Sequence, residues 1–420
     1  MGSKICPRGL FFSIAAGITL TAASLVALAS PATSSIDDVL RNAVDQHTVP
    51  AVVAMVANPH AVVYQGAYGK RNESQDAPVA VDTIFRIASM TKPVTAVAVM
   101  QLVEAGKVKL DEPAGTYLPE IGKAQVIDHI DPQTGDAVMR PPKTPVTVRE
   151  LLSHTSGYVY DRWDSELHAY RTKVLASGVS FADFKEPLLF DPGTKWEYGT
   201  SAAWLGKLVE AVTGQTLEEY FRQHILDPLG MADTSFNVAP EKQERLATLH
   251  QRGDNGKLTE VPPRKLEPVK SYDGGGGLYS TAPDFVKFMQ MMLNRGQLGS
   301  VRILRPETVA MMGKNQIGSL TLHEFKTTNP RQSADGMVPG GLDKFGLGFA
   351  LTTKAVPGGR GAGSMAWAGL DNTFFWIDPA HKTAAVIMMQ MLPFIDSAPI
   401  GVLKDFDRAV YASRAGASGN

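Results

Sequence analysis

The chain has 420 residues, 44% of them hydrophobic and 20% charged, values that exclude a disordered or fibrous protein. That length exceeds one small domain and suits two lobes or one large enzyme with an inserted region. A formal net charge of -1, with no basic stripe, excludes the usual footprint of a nucleic-acid binder.

In chain order, Lys4 and Arg8 precede an apolar run over residues 10–29 that ends in the small-x-small site Ala27-Leu28-Ala29. This pattern predicts a signal peptide cleaved near Ala29, hence a periplasmic or secreted protein with no stable membrane insertion after cleavage. An uncleaved anchor is the competing reading, since the run is almost long enough to span a bilayer. The one cysteine, Cys6, lies inside this leader. The mature chain is then expected to lack disulfides, a thiol nucleophile and cysteine-bound zinc.

Residues 36–46 read as a short amphipathic helix. Residues 52–57 and 61–67 read as a hairpin around the turn Asn58-Pro59-His60. A helix is expected from Ser89 to Ala105, stopped by Gly106. Thr147-Val148-Arg149-Glu150 and Thr216-Leu217-Glu218-Glu219 are capping boxes, and Ser201 is placed to cap a helix that Gly214 ends. Arg140-Pro141-Pro142 and Val261-Pro262-Pro263 read as surface connectors. The glycine run 274–277 has no Walker lysine and reads as a flexible loop before a helix at Pro283. Residues 346–352, 364–368, 373–377 and 384–391 are strand-like, split by turns such as Asp371-Asn372, and a helix near 398–412 closes the chain.

Strands at both ends thus flank a helical middle. The expected fold is α/β (α+β): a central antiparallel sheet flanked by helices, built from 30–105 and 270–413, with a mostly helical lobe, 106–269, inserted. The helix starting at Ser89 falls at the boundary of these lobes, where clefts form.

Ser89-Met90-Thr91-Lys92 carries the chemistry. Residues three apart on a helix share a face, so the amine reaches the hydroxyl. A serine hydroxyl needs a base, and a lysine serves if burial and neighbouring positive charge lower its pKa. The tetrad alone also fits a capping serine beside an exposed lysine. The stretch from 94 to 103 is apolar except for Thr95 and Gln101, which makes the helix buried and an idle lysine costly there.

The segment Phe85-Arg86-Ile87-Ala88-Ser89-Met90-Thr91-Lys92-Pro93 resembles the active-site segment of the serine β-lactamase and penicillin-binding-protein superfamily. Leu151-Leu152-Ser153-His154-Thr155-Ser156-Gly157, and Asp191-Pro192-Gly193 followed by Tyr198, resemble its class C β-lactamase-like branch, closest to the family VIII carboxylesterases. The resemblance runs from about residue 36 to 412. It implies an acyl-enzyme on Ser89, with Lys92 and Tyr198 as general base and acid, and an oxyanion hole from the backbone N–H groups of Ser89 and Leu370. No cofactor or metal is implied. Thr200 stands where β-lactamases carry an asparagine that binds the substrate amide, and Trp367-Ala368-Gly369 stands where they carry Lys-Thr-Gly. Trp367, Gly369 and Thr200 are then substrate-binding positions, and the uncharged indole suits a neutral acyl or alcohol group. Tyr158 and Tyr160 are expected to line the pocket from their place after the helix. His154 reads as a structural polar residue beneath the site.

No Gly-x-Ser-x-Gly elbow or His-Glu-x-x-His motif is present. The Met-rich stretches 289–292 and 388–391 read as core packing. The expected activity is hydrolysis of small-molecule carboxylic esters. A β-lactamase or D-alanyl-D-alanine peptidase, and an acyltransferase, use the same acyl-enzyme. A catalytically dead binding protein on this scaffold would normally have lost Ser89, Lys92 or Tyr198, and all three are present.

Overall fold

In a strand, successive side chains point to opposite faces, so a strand buried throughout must be covered on both. The computed structural model describes residues 35–180, 183–262 and 266–417 and shows this arrangement. The leader expectation over 1–29 lies outside the described residues.

Helix α1 (Ile36–Asp45) opens with a Ser35–Asp38 capping box. Strands β1 (Ala51–Ala57) and β2 (Val62–Asn72) form the expected hairpin, and β3 (Ala77–Pro78) follows. The Asn58 side-chain oxygen accepts from the His60 and Ala61 amides at 2.8 Å each, which closes the turn. Helix α2 (Thr91–Glu104) comes next, then α3 (Val148–Ser153), α4 (Ser201–Thr213) and α5 (Ala282–Leu293). The C-terminal strands are β4 (Lys344–Phe345), β5 (Ala350–Thr352), β6 (Ser364–Gly369), β7 (Thr373–Asp378) and β8 (Thr383–Met388). Helix α6 (Ser397–Ala417) ends the described chain.

The strands join in the order β4-β5-β6-β7-β8-β1-β2-β3. The junction of the two chain ends is the antiparallel β1–β8 pair, with Met55 opposite Val386. On β7, Phe375 packs edge-on against Phe285 of α5, while Trp376 on the reverse face packs against Phe406 of α6. The sheet is therefore a covered, antiparallel layer, as the α/β expectation required. Met289, Met291, Met388 and Met389 are wholly buried in that core. Among the described residues, no helix is long and apolar enough to cross a membrane.

Two local expectations differ. Of the run 346–352 only Ala350–Thr352 is strand, and β4 ends before it, because at Gly346 and Gly348 the backbone passes too close to its neighbours for a side chain. A Cβ on Gly348 would collide with Ala96 of α2, so this end of the sheet rests on α2. Ser201 does not cap α4. Thr200 holds the cap position without a side-chain bond to the helix amides, and the Ser201 hydroxyl pairs with that of Ser156 at 2.8 Å.

Candidate active site

Helix α2 is apolar on every side, and every residue from Thr91 to Met100 is buried. Burial all round fixes its position, and hence the position of the turn that leads into it. Ala88, just before Ser89, has φ +43°, a left-handed conformation unfavourable for alanine. The Thr91 hydroxyl holds that turn by donating to the Ala88 carbonyl at 2.7 Å and accepting from the Leu278 amide at 3.1 Å. Ser89 is thereby presented, half-buried, at the head of the helix.

The opposite lip is the end of β6. Gly369 must be glycine, because a Cβ there would collide with the Ile87 carbonyl and the Thr373 hydroxyl. The two lips are also tied by charge. Arg86 makes a bidentate pair with Asp371 at 2.5 and 2.6 Å, and the Gln390 side chain bonds both the Arg86 amide (2.9 Å) and Asp371 (2.6 Å). Leu370 is thus held near Ser89, and both line one narrow cleft.

Lys92 is 3% exposed. Its Nζ donates to Ser89 Oγ at 3.1 Å, to the Tyr160 hydroxyl at 3.2 Å and to the Gly275 carbonyl at 2.5 Å. An ammonium has three donors, and all three are placed. Burial, the largest influence, acts to lower this amine. The Tyr160 and Tyr198 phenols and the Asp273 carboxylate outweigh it and hold the amine above its ordinary value. The sequence argument expected positive neighbours and a lowered amine. The fold supplies phenols and a carboxylate instead, so the resting state is a protonated lysine.

The Tyr198 ring centroid lies 4.8 Å from the Lys92 nitrogen. Its hydroxyl is buried and unpartnered among the described protein atoms. Trp367 meets the ring edge-on at 4.9 Å. His154 meets it at 5.1 Å, with its carbonyl accepting from the Glu197 amide at 3.0 Å and its Nδ1 accepting from the Gly199 amide at 3.4 Å. Burial, then the Lys92 charge, holds the His154 imidazole well below its usual range and therefore neutral. It supports Tyr198 from beneath, as the sequence suggested.

Not every expected binding residue lines the cleft. Ser89, Tyr198, Trp367 and Leu370 do. Gly369 is a backbone contact behind it. Tyr158 does not line the cleft: it is buried and stacks on Trp204 at 5.3 Å. Tyr160, two residues on in an irregular segment, reaches Lys92 instead. Thr200 also turns away and donates to Glu186 at 2.7 Å. Burial raises the Glu186 carboxyl to about 7.

Several residues escaped the sequence reading. Trp163, Phe325, Val338 and Phe394 complete an apolar cleft whose lining holds no charged side chain. The glycine run is a packed wall and not a flexible loop. Gly274 backs onto the Ala202 carbonyl, Gly277 onto the Phe236 ring, and Gly275 supplies an acceptor for Lys92. Its signal was visible as four consecutive glycines, which also mark close backbone approach.

A hydroxyl, an amine and a phenol are thus gathered at one apolar cleft. The chain belongs to the beta-lactamase family, whose model matches residues 36–404. That family comprises serine hydrolases and acyltransferases. The chain is similar in sequence to two fungal enzymes. One is monacolin J acid methylbutanoyltransferase of Aspergillus terreus, at 30% over 396 residues, covering 89% of this chain and 94% of that protein. The other is lovastatin esterase of Penicillium rubens, at 30% over 372 residues, covering 83% and 90%. The structure is similar to unliganded simvastatin synthase from Aspergillus terreus, with a TM-score of 0.78, 27% identity and coverage of 90% and 97%.

Proposed function

We propose that the protein is a carboxylesterase acting on neutral, apolar esters through an acyl-enzyme on Ser89. The 3.1 Å contact between Ser89 Oγ and Lys92 Nζ, at the mouth of a cleft lined without charge, carries this reading. When Lys92 has lost one proton, it accepts the Ser89 proton as Oγ attacks the carbonyl carbon. The oxyanion is stabilised by the Ser89 and Leu370 amides. Tyr198 protonates the departing alcohol and regains its proton from Lys92. Water then repeats the sequence in reverse and releases the acid. Trp367 in place of a lysine, and Thr200 bonded to Glu186, both argue against a carboxylated β-lactam.

The similarity to a methylbutanoyltransferase favours a second reading, in which an alcohol replaces water in the last step. A panel of ethyl butyrate, a cephalosporin and a D-Ala-D-Ala peptide, read by intact mass and turnover, tests the first reading. Faster turnover of the cephalosporin than of the ester overturns it. Adding an acceptor alcohol then separates hydrolysis from transfer, through the ratio of acid to new ester. The leader pattern over 1–29 adds the proposal that the enzyme is exported, which cell fractionation checks.

A further inference from the structure

We propose that Asp273 is a positioning residue for acyl transfer: its carboxylate shapes the glycine turn that aims the Gly275 carbonyl at Lys92, and it sets a negative charge behind that carbonyl. The inference rests on the acyl-enzyme reading above and adds the residue that orients its base.

Four consecutive glycines have little stiffness of their own, since glycine adopts almost any backbone conformation. Gly274–Gly277 are held from outside. The Asp273 carboxylate accepts from the Gly275 amide at 2.7 Å, and the Asp273 carbonyl accepts from the Gly276 and Gly277 amides at 3.2 and 3.1 Å. The Thr95 hydroxyl, on α2 and three residues beyond Lys92, donates to the Gly274 carbonyl at 2.7 Å. The Gly274 carbonyl and the Gly275 amide belong to one planar peptide unit, so Thr95 and Asp273 fix both of its ends. Gly274 also backs onto the Ala202 carbonyl of α4, too close for a Cβ. The next carbonyl along the chain, that of Gly275, is thereby aimed at Lys92 Nζ at 2.5 Å.

A neutral amine has two N–H bonds and one lone pair. When the Gly275 carbonyl and the Tyr160 hydroxyl occupy the N–H directions, at 2.5 and 3.2 Å, the lone pair is left facing Ser89 Oγ at 3.1 Å. That orientation is the one that accepts the Ser89 proton.

The charge acts separately. The titratable groups facing Lys92 are Tyr160, Tyr198, the neutral His154 ring beneath Tyr198, and Asp273. Asp273 is the carboxylate among them, and it favours the ammonium over the neutral base. Its acceptor oxygen therefore orients Lys92, while its charge sets the pH at which Lys92 becomes a base.

Two variants separate these roles, with ethyl butyrate as the probe and kcat referred to the folded fraction from urea unfolding. Asp273→Asn keeps an oxygen for the Gly275 amide and removes the charge. It is expected to raise kcat/KM ~3-fold at pH 7 and to displace the climb of kcat/KM to lower pH, because more of the amine is neutral. Asp273→Ala removes both the oxygen and the charge. Its kcat is expected to lie ~10-fold below that of Asp273→Asn with KM unchanged, because the base is no longer oriented. A residue that serves folding alone gives no gain in the first variant. If Asp273→Asn leaves the pH profile in place, or lowers kcat/KM across it, the role of the charge is overturned. If Asp273→Ala matches Asp273→Asn in kcat, the orienting role is overturned. Unchanged hydrolysis by Ser89→Ala overturns the acyl-enzyme reading itself, a distinct result.

Discussion

The two sides of the cleft were built differently. One side is a helix head and a strand end, Ser89–Lys92 and Trp367–Leu370, clamped by Arg86 and Asp371. The other is carried by loops: Tyr160, Trp163, the Gly274–Gly277 wall, Phe325 and Val338. In the proposed reaction the regular side fixes where bonds are made. The loop side sets the protonation of the amine and the shape of what enters. A scaffold can thus hold its chemistry constant and vary its substrate through loops.

The largest effect should come from the regular side. Ser89→Ala is expected to lower ester turnover ~10⁴-fold or more and to abolish the acyl adduct in intact mass. Unchanged turnover would move the chemistry off this helix altogether. Asp371→Ala breaks the clamp without touching a reacting atom. Asp371 is fully buried, while Arg86 is 42% exposed, so a loss of about 3 kcal/mol is expected in urea unfolding. Turnover by the fraction still folded should fall too, since Leu370 is no longer held against Ser89. A stability loss with kcat intact would show that the clamp serves folding alone.

This contrast also explains what the sequence disclosed. Ser89 lies in the tight turn that runs straight into α2, three residues before Lys92, so covalent spacing sets their geometry and a motif records it. Trp367 stands on strand β6, whose alternation is readable in the same way, and Leu370 follows directly after its end. Tyr160 and Tyr158 are both plausible from spacing, and only the turn after α3 determines which one faces Lys92. The direction of the Lys92 shift depended on Asp273 and two phenols brought in from distant segments. Phe325 and Val338 carry no pattern at all, because their loop is shaped by contacts such as the Thr328 amide to the Arg162 carbonyl at 2.8 Å.

A middle-sized effect tests how the loops set the amine. Lys92 is held above its ordinary pKa, so its neutral form grows with pH, and kcat/KM should climb about tenfold per pH unit below that pKa. Tyr160 contributes to the upward shift. Tyr160→Phe should therefore move this climb to lower pH, while removing one hydrogen-bond partner of the ammonium. A roughly tenfold change in kcat at pH 7 is the scale expected for such a partner. A pH profile that does not move would place the control of Lys92 with Tyr198 and Asp273.

The smallest effect concerns Glu186, behind the loop side. Burial raises its carboxyl from 4.5 to about 7, opposed by the Thr200 hydroxyl, Arg171 and Trp204, with Asp161 acting with burial. A folded pKa above the unfolded one means the stability it contributes is whole below pH 4.5 and is lost as pH rises through 7. Unfolding free energy should accordingly drop by ~1–3 kcal/mol between pH 5 and pH 8 from this group. Glu186→Gln keeps an acceptor for Thr200 and cannot ionise, so it should flatten that part of the curve. If the variant keeps the wild-type slope, Glu186 is already solvated and ionised at pH 5, and Thr200 is then held by a charged partner.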